Sequence, residues 1–185
     1  MLKNKSYHKE LILVGGGHSH IEVLRRFRMR PEPGARVTLI NPYPDAQYSG
    51  MLPGLIAGHY SEEDTKLDLF KLSLACGSRF VEDKVIGLNP GKKTIVCAKR
   101  GEISFDVLSI NIGSQSPTPK NLEIKHGLGV KPIQTFQNRL QDALNIITIE
   151  GRPKRIAVVG AGAAGVEVIL ATKHRLEDSS NETRP

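Results

Sequence analysis

Gly160, Gly162 and Gly165 stand in a G-x-G-x-x-G spacing between a branched apolar run, residues 155–159, and a segment of helical periodicity, residues 166–176. In such a context the first glycine permits a sharp turn and the second lets backbone approach a pyrophosphate. The third lets the helix, with Ala164 in its first turn, pack against the strand. Phosphate oxygens then meet backbone N–H groups at the helix N-terminus, where the helix carries partial positive charge. A bare βα connection uses glycines too, but rarely at all three positions at once.

A second turn lies 145 residues earlier. Gly15, Gly16 and Gly17 follow the apolar run Leu11-Ile12-Leu13-Val14, and His18, Ser19 and His20 lead into a segment whose Ile21, Leu24 and Phe27 recur at helical spacing. Gly15 and Gly17 match the first two positions of the motif, and His20 occupies the third. A histidine there is expected to push the helix away from the strand or to need a wider turn. Asn41, 26 residues after Gly15, fills the slot where an acidic residue usually holds a ribose hydroxyl. Asparagine accepts one such hydrogen bond without the charge. His18 and His20 stand two residues apart without cysteine or carboxylate neighbours. A metal site is one reading, exposed turn residues another, and a place beside a pyrophosphate, with His18 or Ser19 bonding an oxygen, a third.

Residues 48–60, with Ser49, Met51, Leu52 and Pro53 at their centre, form the most unusual stretch. An apolar, glycine-rich loop just past a second strand is placed to cover a flat aromatic ligand at the carboxyl edge of a sheet. An ordinary hydrophobic loop packed beneath a helix is the alternative.

These residues need elements to position them. Residues 11–14 and 36–40 read as buried parallel strands flanking a helix that ends before Pro31, a complete β-turn-α-β unit. Residues 41–61 read as loop and 64–75 as a helix closed by Gly77. Strands follow at 79–81, 84–88, 94–98 and 105–112. Pro117, Pro119 and Asn121 mark a linker, and a helix over 134–149 carries Phe136, Leu140, Leu144 and Ile147 inward. The tail, 177–185, is polar without a core-forming pattern. The fold class that follows is α/β, a Rossmann-like parallel sheet with a β-meander crossover and an incomplete second Rossmann unit. A first domain is expected over 1–116, the start of a second over 117–176, and a tail after it.

Composition narrows the rest. The chain has 185 residues, 24% of them charged and 39% hydrophobic, as in ordinary globular proteins. The formal charge is +7, but Arg25, Arg26, Arg28, Arg30, Lys92, Lys93, Arg152, Lys154 and Arg155 are dispersed. No aromatic-interleaved basic stripe accompanies them, so nucleic acid is not the expected partner. No apolar run reaches the about 18–20 residues of a membrane span. The first ten residues lack the apolar core of a signal peptide, which predicts a cytoplasmic location. Cys76 and Cys97 form no redox or zinc pair.

Residues 11–26, 48–60, 106–114 and 156–167 together resemble the FAD/NAD(P)H pyridine nucleotide-disulfide oxidoreductase family. Within it they look like the type II NADH dehydrogenase-like flavoproteins, above all the form fused ahead of selenide, water dikinase. The resemblance implies FAD extended across the first domain. Gly15, Gly17 and Ser19 would meet its pyrophosphate, Asn41 would lie near the adenosine ribose, and the backbone of Val85 beside the adenine. Ile112, Gly113 and Ser114 resemble the second FAD strip. NAD(P)H would dock on Gly160, Gly162 and Gly165, with Glu167 near the nicotinamide side. Hydride would pass to the flavin and then to a small-molecule electron acceptor, so no catalytic acid or nucleophile is required. Counting 26 residues on from Gly160 reaches 186, one past the last residue. The NAD ribose-binding residue and the family's later regions are therefore expected in a fusion partner, another chain or a homo-oligomer. The alternative is a non-catalytic, truncated FAD-binding fragment. A flavin-free dehydrogenase using the second turn alone leaves the first turn and the 48–60 stretch unexplained.

Overall fold

A computed structural model describes residues 7–115, 127–149 and 155–182. The linker residues Pro117, Pro119 and Asn121, the basic residues Arg152 and Lys154, and the side chains of Leu144 and Ile147 lie outside the described residues. In chain order the elements are β1 (Lys9–Val14), α1 (His18–Met29), β2 (Ala35–Asn41), β3 (Asp45–Gln47), α2 (Leu52–Ala57) and β4 (Lys66–Asp68). Then come α3 (Leu69–Ala75), β5 (Arg79–Glu82), β6 (Val85–Asn89), β7 (Thr94–Cys97), β8 (Gly101–Ser104), β9 (Val107–Ile110), α4 (Ile133–Ile149) and α5 (Ala163–Glu182).

These elements form two compact units. Unit 1 comprises Met1–Ala46 and Leu67–Gly113; unit 2 comprises Gln47–Lys66 and Ser114–Pro185. The sequence reading put 48–60 inside a contiguous first domain. In the structure that stretch belongs to the second compact unit, because Leu52, Leu55 and Ile56 share a buried cluster with Phe136, Val168 and Ala171.

Unit 1 is a three-layer sandwich. Its central sheet has the order β5-β2-β1-β9, with every pairing parallel. Side chains alternate across a strand, and both faces here are covered, which is why β1 and β2 read as nearly unbroken apolar runs. Ile12, Val14, Ile40 and Val81 face one layer, where they meet Ile95 and Cys97 of the antiparallel meander β6-β7-β8. Leu13, Val37 and Leu39 face the other, against Leu24 of α1 and Leu69 of α3. The chain runs β1 to β2 to β5 in one direction and then returns with β9 on the far side of β1. Strand order therefore reverses at the carboxyl end of β1, where open α/β sheets place their ligands.

Several local readings change. Residues 41–61 contain a helix, α2, with Pro53 in its first turn, which suits a missing N–H, and Gly58 after its end at φ +86°. The helix expected over 64–75 starts only at Leu69, because two caps compete. Asp64 Oδ2 accepts from Ser61 N at 2.9 Å and so closes a single 3₁₀ turn, Glu63–Thr65. Asp68 Oδ1 accepts from Lys71 N at 2.7 Å and starts α3. Strand β8 was not anticipated, since its Gly101-Glu102-Ile103-Ser104 carries no apolar run. The polar segment after residue 176 continues α5 to Glu182. Residues 155–158 form no strand, because no described neighbour offers them a hydrogen-bond ladder.

Two aspartates hold the layers of unit 1. Asp83, buried between β5 and β6, accepts from Lys84 N at 2.8 Å, Lys99 N at 3.1 Å and Arg100 N at 3.1 Å. Burial pushes its carboxyl up, but the amides of Lys99 and Lys84 and the Arg100 guanidinium outweigh that and hold it below the usual aspartate range. Asp106 accepts from Glu10 N at 2.8 Å, which with Lys9 likewise lowers its carboxyl. As pH falls, the unfolded chain takes up these protons first, so stability drains below about pH 4, the unfolded aspartate value. Urea midpoints measured from neutral to acid pH should stay level and then fall steeply. Asp83→Asn should lower the neutral midpoint and flatten the acid fall; an unchanged acid limb would refute this account.

Candidate functional site

The first glycine turn is strung across the carboxyl ends of three adjacent strands. Gly15 N donates to Ile40 O of β2 at 2.8 Å, Gly16 N to Asn41 Oδ1 at 3.1 Å, and Gly17 N to Asn111 O just past β9 at 3.3 Å. Asn111 N in turn donates to Val14 O at 2.8 Å. No side chain fits inside this arrangement. A Cβ on Gly15 would meet the Asn111 carbonyl, one on Gly16 the Leu69 side chain, and one on Gly17 the Asn111 amide. Gly15 also sits at φ +93°, a conformation natural only to glycine. Asn111 is thus a site residue that sequence reasoning missed; its only signal is its place directly before Ile112-Gly113.

Asn41 explains its own amide. Its Oδ1 accepts from Gly16 N, while its Nδ2 donates to Tyr43 O at 2.8 Å. A carboxylate has no proton to donate, so the acidic residue usual at this slot could make only half of the pair. Both ends of the amide are thus engaged within unit 1. Its carbonyl also accepts from Asp83 N at 3.1 Å, which hangs the corner leading to Val85 from the same strand end.

His20 neither forces the helix away nor presents itself to a ligand. It is 1% exposed, with Nδ1 2.7 Å from Gly15 O and Nε2 2.9 Å from Ser109 Oγ on β9. The consistent arrangement has Nδ1–H donating to the carbonyl and Nε2 accepting from the hydroxyl. The ring fills the gap between helix and sheet that a third glycine would close. Burial lowers its pKa, opposed by the bond to Gly15, so the neutral ring belongs to the fold. The pyrophosphate and metal readings of His20 are thereby corrected, since neither nitrogen is left over. Among the described residues no group of three or more metal-ligating side chains occurs. The two free thiols are unreactive in character: Cys97 is buried and Cys76 partly so, and burial pushes both up.

Around this turn His18, Ser19, Ile112 and Gly113 lie exposed at the carboxyl end of β1 and β9. Helix α1 starts at His18 with no side-chain cap and no acidic residue in its first turn. His20 N and Ile21 N donate to Gly17 O at 3.0 and 3.2 Å, so the turn carbonyl opens the helix. A cradle that excludes every Cβ beneath an uncapped helix start fits the pyrophosphate of FAD.

In unit 2, α5 begins at Ala163 behind Gly160, which adopts φ +112°. A Cβ on Gly165 would strike the Gly160 carbonyl oxygen. That contact is the close helix-to-turn packing the third motif glycine exists for. Gly160, Gly162, Ala164 and Glu167 are exposed, and no acidic residue stands in the first turn of α5. This end fits a second pyrophosphate, that of NAD(P)H. Of the 48–60 stretch, Ser49 and Met51 lie in a 3₁₀ turn, Leu52 is buried, and Pro53 opens α2. The stretch is therefore a short packed helix rather than a loop, with its exposed edge at Tyr48, Ser49 and Tyr60. Ser114, the first residue of unit 2 after Gly113, accepts from Lys131 Nζ at 2.8 Å.

Comparison with known proteins bears on this geometry. The sequence pattern of the pyridine nucleotide-disulphide oxidoreductases matches residues 9–178. Ferroptosis suppressor protein 1 of Taeniopygia guttata is 30% identical over 108 residues, 58% of this chain and 27% of that protein. The probable ferredoxin reductase CtmF of Castellaniella defragrans is 28% identical over 167 residues, 86% of this chain and 38% of that protein. Among solved structures, NDH2 of Plasmodium falciparum in complex with NADH superposes with a TM-score of 0.75 at 20% identity. That match covers 93% of this chain and 38% of the other. The chain thus spans 27% and 38% of the two curated relatives' lengths.

Three separable losses are expected. His20→Leu leaves the Gly15 carbonyl and Ser109 hydroxyl without partners and should cost roughly 1–3 kcal/mol in urea unfolding. In the unmutated protein the lowered His20 pKa means that stability falls as pH drops below about 6.5, the unfolded histidine value, and His20→Leu should remove that component. Asn41→Asp loses the donor to Tyr43 and adds negative charge beside the turn, so it should weaken dinucleotide retention by about tenfold or more, about 1.4 kcal/mol. Titration by flavin fluorescence quenching checks the last; undiminished affinity would overturn the role given to the amide.

Proposed function

The chain belongs to the pyridine nucleotide-disulphide oxidoreductase family, and we propose that it supplies the FAD seat and the opening of the NAD(P)H seat of an NADH dehydrogenase-like flavoprotein. Proteins of this family are NAD(P)H-dependent flavin oxidoreductases that use FAD and NAD(P)H. The observation that carries the proposal is the pair of glycine turns in one chain. Each precedes a helix without an acidic first turn, and in each a glycine Cβ would collide with backbone. When bound, the flavin supplies the hydride-accepting ring, with NAD(P)H as donor and a small-molecule electron acceptor downstream.

The protein's own residues hold and orient. Gly15, Gly17 and Ser19 offer backbone to the FAD pyrophosphate, and Asn41, Asn111 and His20 keep that turn in shape. Val85, Ile112 and Gly113 border the same cofactor. Gly160, Gly162, Ala164 and Gly165 offer backbone to the nicotinamide dinucleotide, with Glu167 towards its nicotinamide end. The Gly-Gly-Gly-His-Ser-His turn with the 48–60 stretch favours the form fused ahead of selenide, water dikinase. A cytoplasmic location, and a fused, partner or second copy that completes the catalytic protein, belong to the same proposal.

A second reading is that this chain alone binds dinucleotide without turnover. It is favoured by residues 155–158, which have no ladder partner among the described residues ahead of the second turn.

An absorption spectrum with and without added FAD tests the proposal. Bound flavin should give bands near about 375 and 450 nm, and Gly15→Ala should abolish them. Anaerobic NADH should bleach the bound flavin, and Gly165→Ala should prevent bleaching while leaving the colour. Bound colour that NADH never bleaches selects the second reading. A chain that stays colourless in excess FAD refutes both.

A further inference from the structure

Unit 2 holds a pair of histidines that neither glycine turn uses. His59 follows Gly58 just past α2, and His174 lies on α5. Their Nε2 atoms face each other at 3.2 Å, with ring centroids 5.1 Å apart and planes inclined at 61°. We infer that His59 and His174 form a two-imidazole site for a borderline divalent transition metal such as Zn²⁺ or Ni²⁺, clasping α2 to α5.

Three features of the structure support this. The first is distance. Two imidazole nitrogens bound to one tetrahedral zinc at about 2.0–2.1 Å lie about 3.3 Å apart, close to the separation seen. A small opening of the pair admits the ion between the two lone pairs.

The second is anchoring. His59 N donates to Gly54 O at 2.8 Å, and Gly58 at φ +86° turns the chain sharply so that His59 faces α5. Beneath the pair, Leu55 and Ile56 share a buried cluster with Val168 and Ala171, three residues before His174. Arg175 Nη1 reaches Ile56 O at 3.4 Å, and Arg175 Nη2 donates to Gln141 Oε1 at 2.9 Å. Both ring carriers are thus fixed before any ion arrives, which reduces the ordering cost of binding.

The third is access and chemistry. Both histidines are exposed, so an ion can enter and water can complete its coordination. Imidazole nitrogen favours zinc, nickel and copper over magnesium or calcium, which prefer oxygen. In the metal-free pair one Nε2 donates and the other accepts; holding an ion needs both Nε2 atoms as acceptors, which the donating ring meets by carrying its proton on Nδ1 instead.

Calorimetric titration of the full chain with ZnSO₄, NiCl₂ and MgCl₂ tests the inference. Zinc and nickel should bind one ion per chain at about pH 7.5, and magnesium should not bind. His59→Gln and His174→Gln should each weaken uptake by more than about tenfold, since even groups that only orient a metal's ligands are worth about 10–100-fold. His8→Gln should bind as the unmutated chain does. Thermal unfolding without metal should be alike in all four proteins, and zinc should raise the midpoint only where both histidines remain. Failure to take up one equivalent, or uptake unchanged in both His59→Gln and His174→Gln, would overturn the inference.

Discussion

Everything at the first site depends on three consecutive backbone N–H groups having three different acceptors. A tight turn at the end of a buried strand cannot leave its amides unpaired without cost. Here β2 supplies a carbonyl to Gly15, the Asn41 side chain accepts from Gly16, and the residue after β9 accepts from Gly17. The turn is therefore fastened to both neighbours of β1 at the point where strand order reverses. Parallel pairing on both sides of β1 is what brings those acceptors within reach. The helix start above carries no side-chain cap, so its partial positive charge is turned towards the place of an anion.

The two turns solve one steric problem differently. At the second, helix and turn touch directly, and Gly165 is required because the Gly160 carbonyl occupies the place of any Cβ. At the first, a neutral buried imidazole stands between helix and sheet and is hydrogen-bonded on both sides. The histidine replaces contact by a filled gap, and the asparagine replaces a charge by a two-ended amide. Neither substitution adds a formal negative charge to the turn, which favours a pyrophosphate there.

Unit 2 is built around the α2–α5 contact rather than around a sheet. The apolar residues Leu52, Leu55 and Ile56, interleaved with glycines, supply α2's share of a core with Phe136, Val168 and Ala171. That core sets the backbone on which Ser49 and Met51 are displayed, and it fixes His59 opposite His174. A stretch that looks like a ligand-covering loop is thus first a structural element, and whatever it presents to a cofactor is presented from its exposed edge.

The sequence by itself determined the elements whose signals are local. The runs at 11–14 and 36–40 could only be strands buried on both faces, and the two glycine spacings could only be turns before helices. Two strands of the meander, β6 and β7, followed from short apolar runs broken by turn residues, while β8 did not. The helix expected from residue 64 begins only at Leu69, because the structure spends Asp64 on a 3₁₀ turn and Asp68 on the helix start. Tertiary structure alone decided the roles of His20, Asn41 and Asn111, because each depends on partners 5, 25 and 94 residues away, at Gly15, Gly16 and Gly17. It also decided that the 48–60 stretch is helical, since α2 is too short to persist without its cluster. Periodicity reports which face of an element is apolar. It cannot report which distant atom waits there to accept a proton.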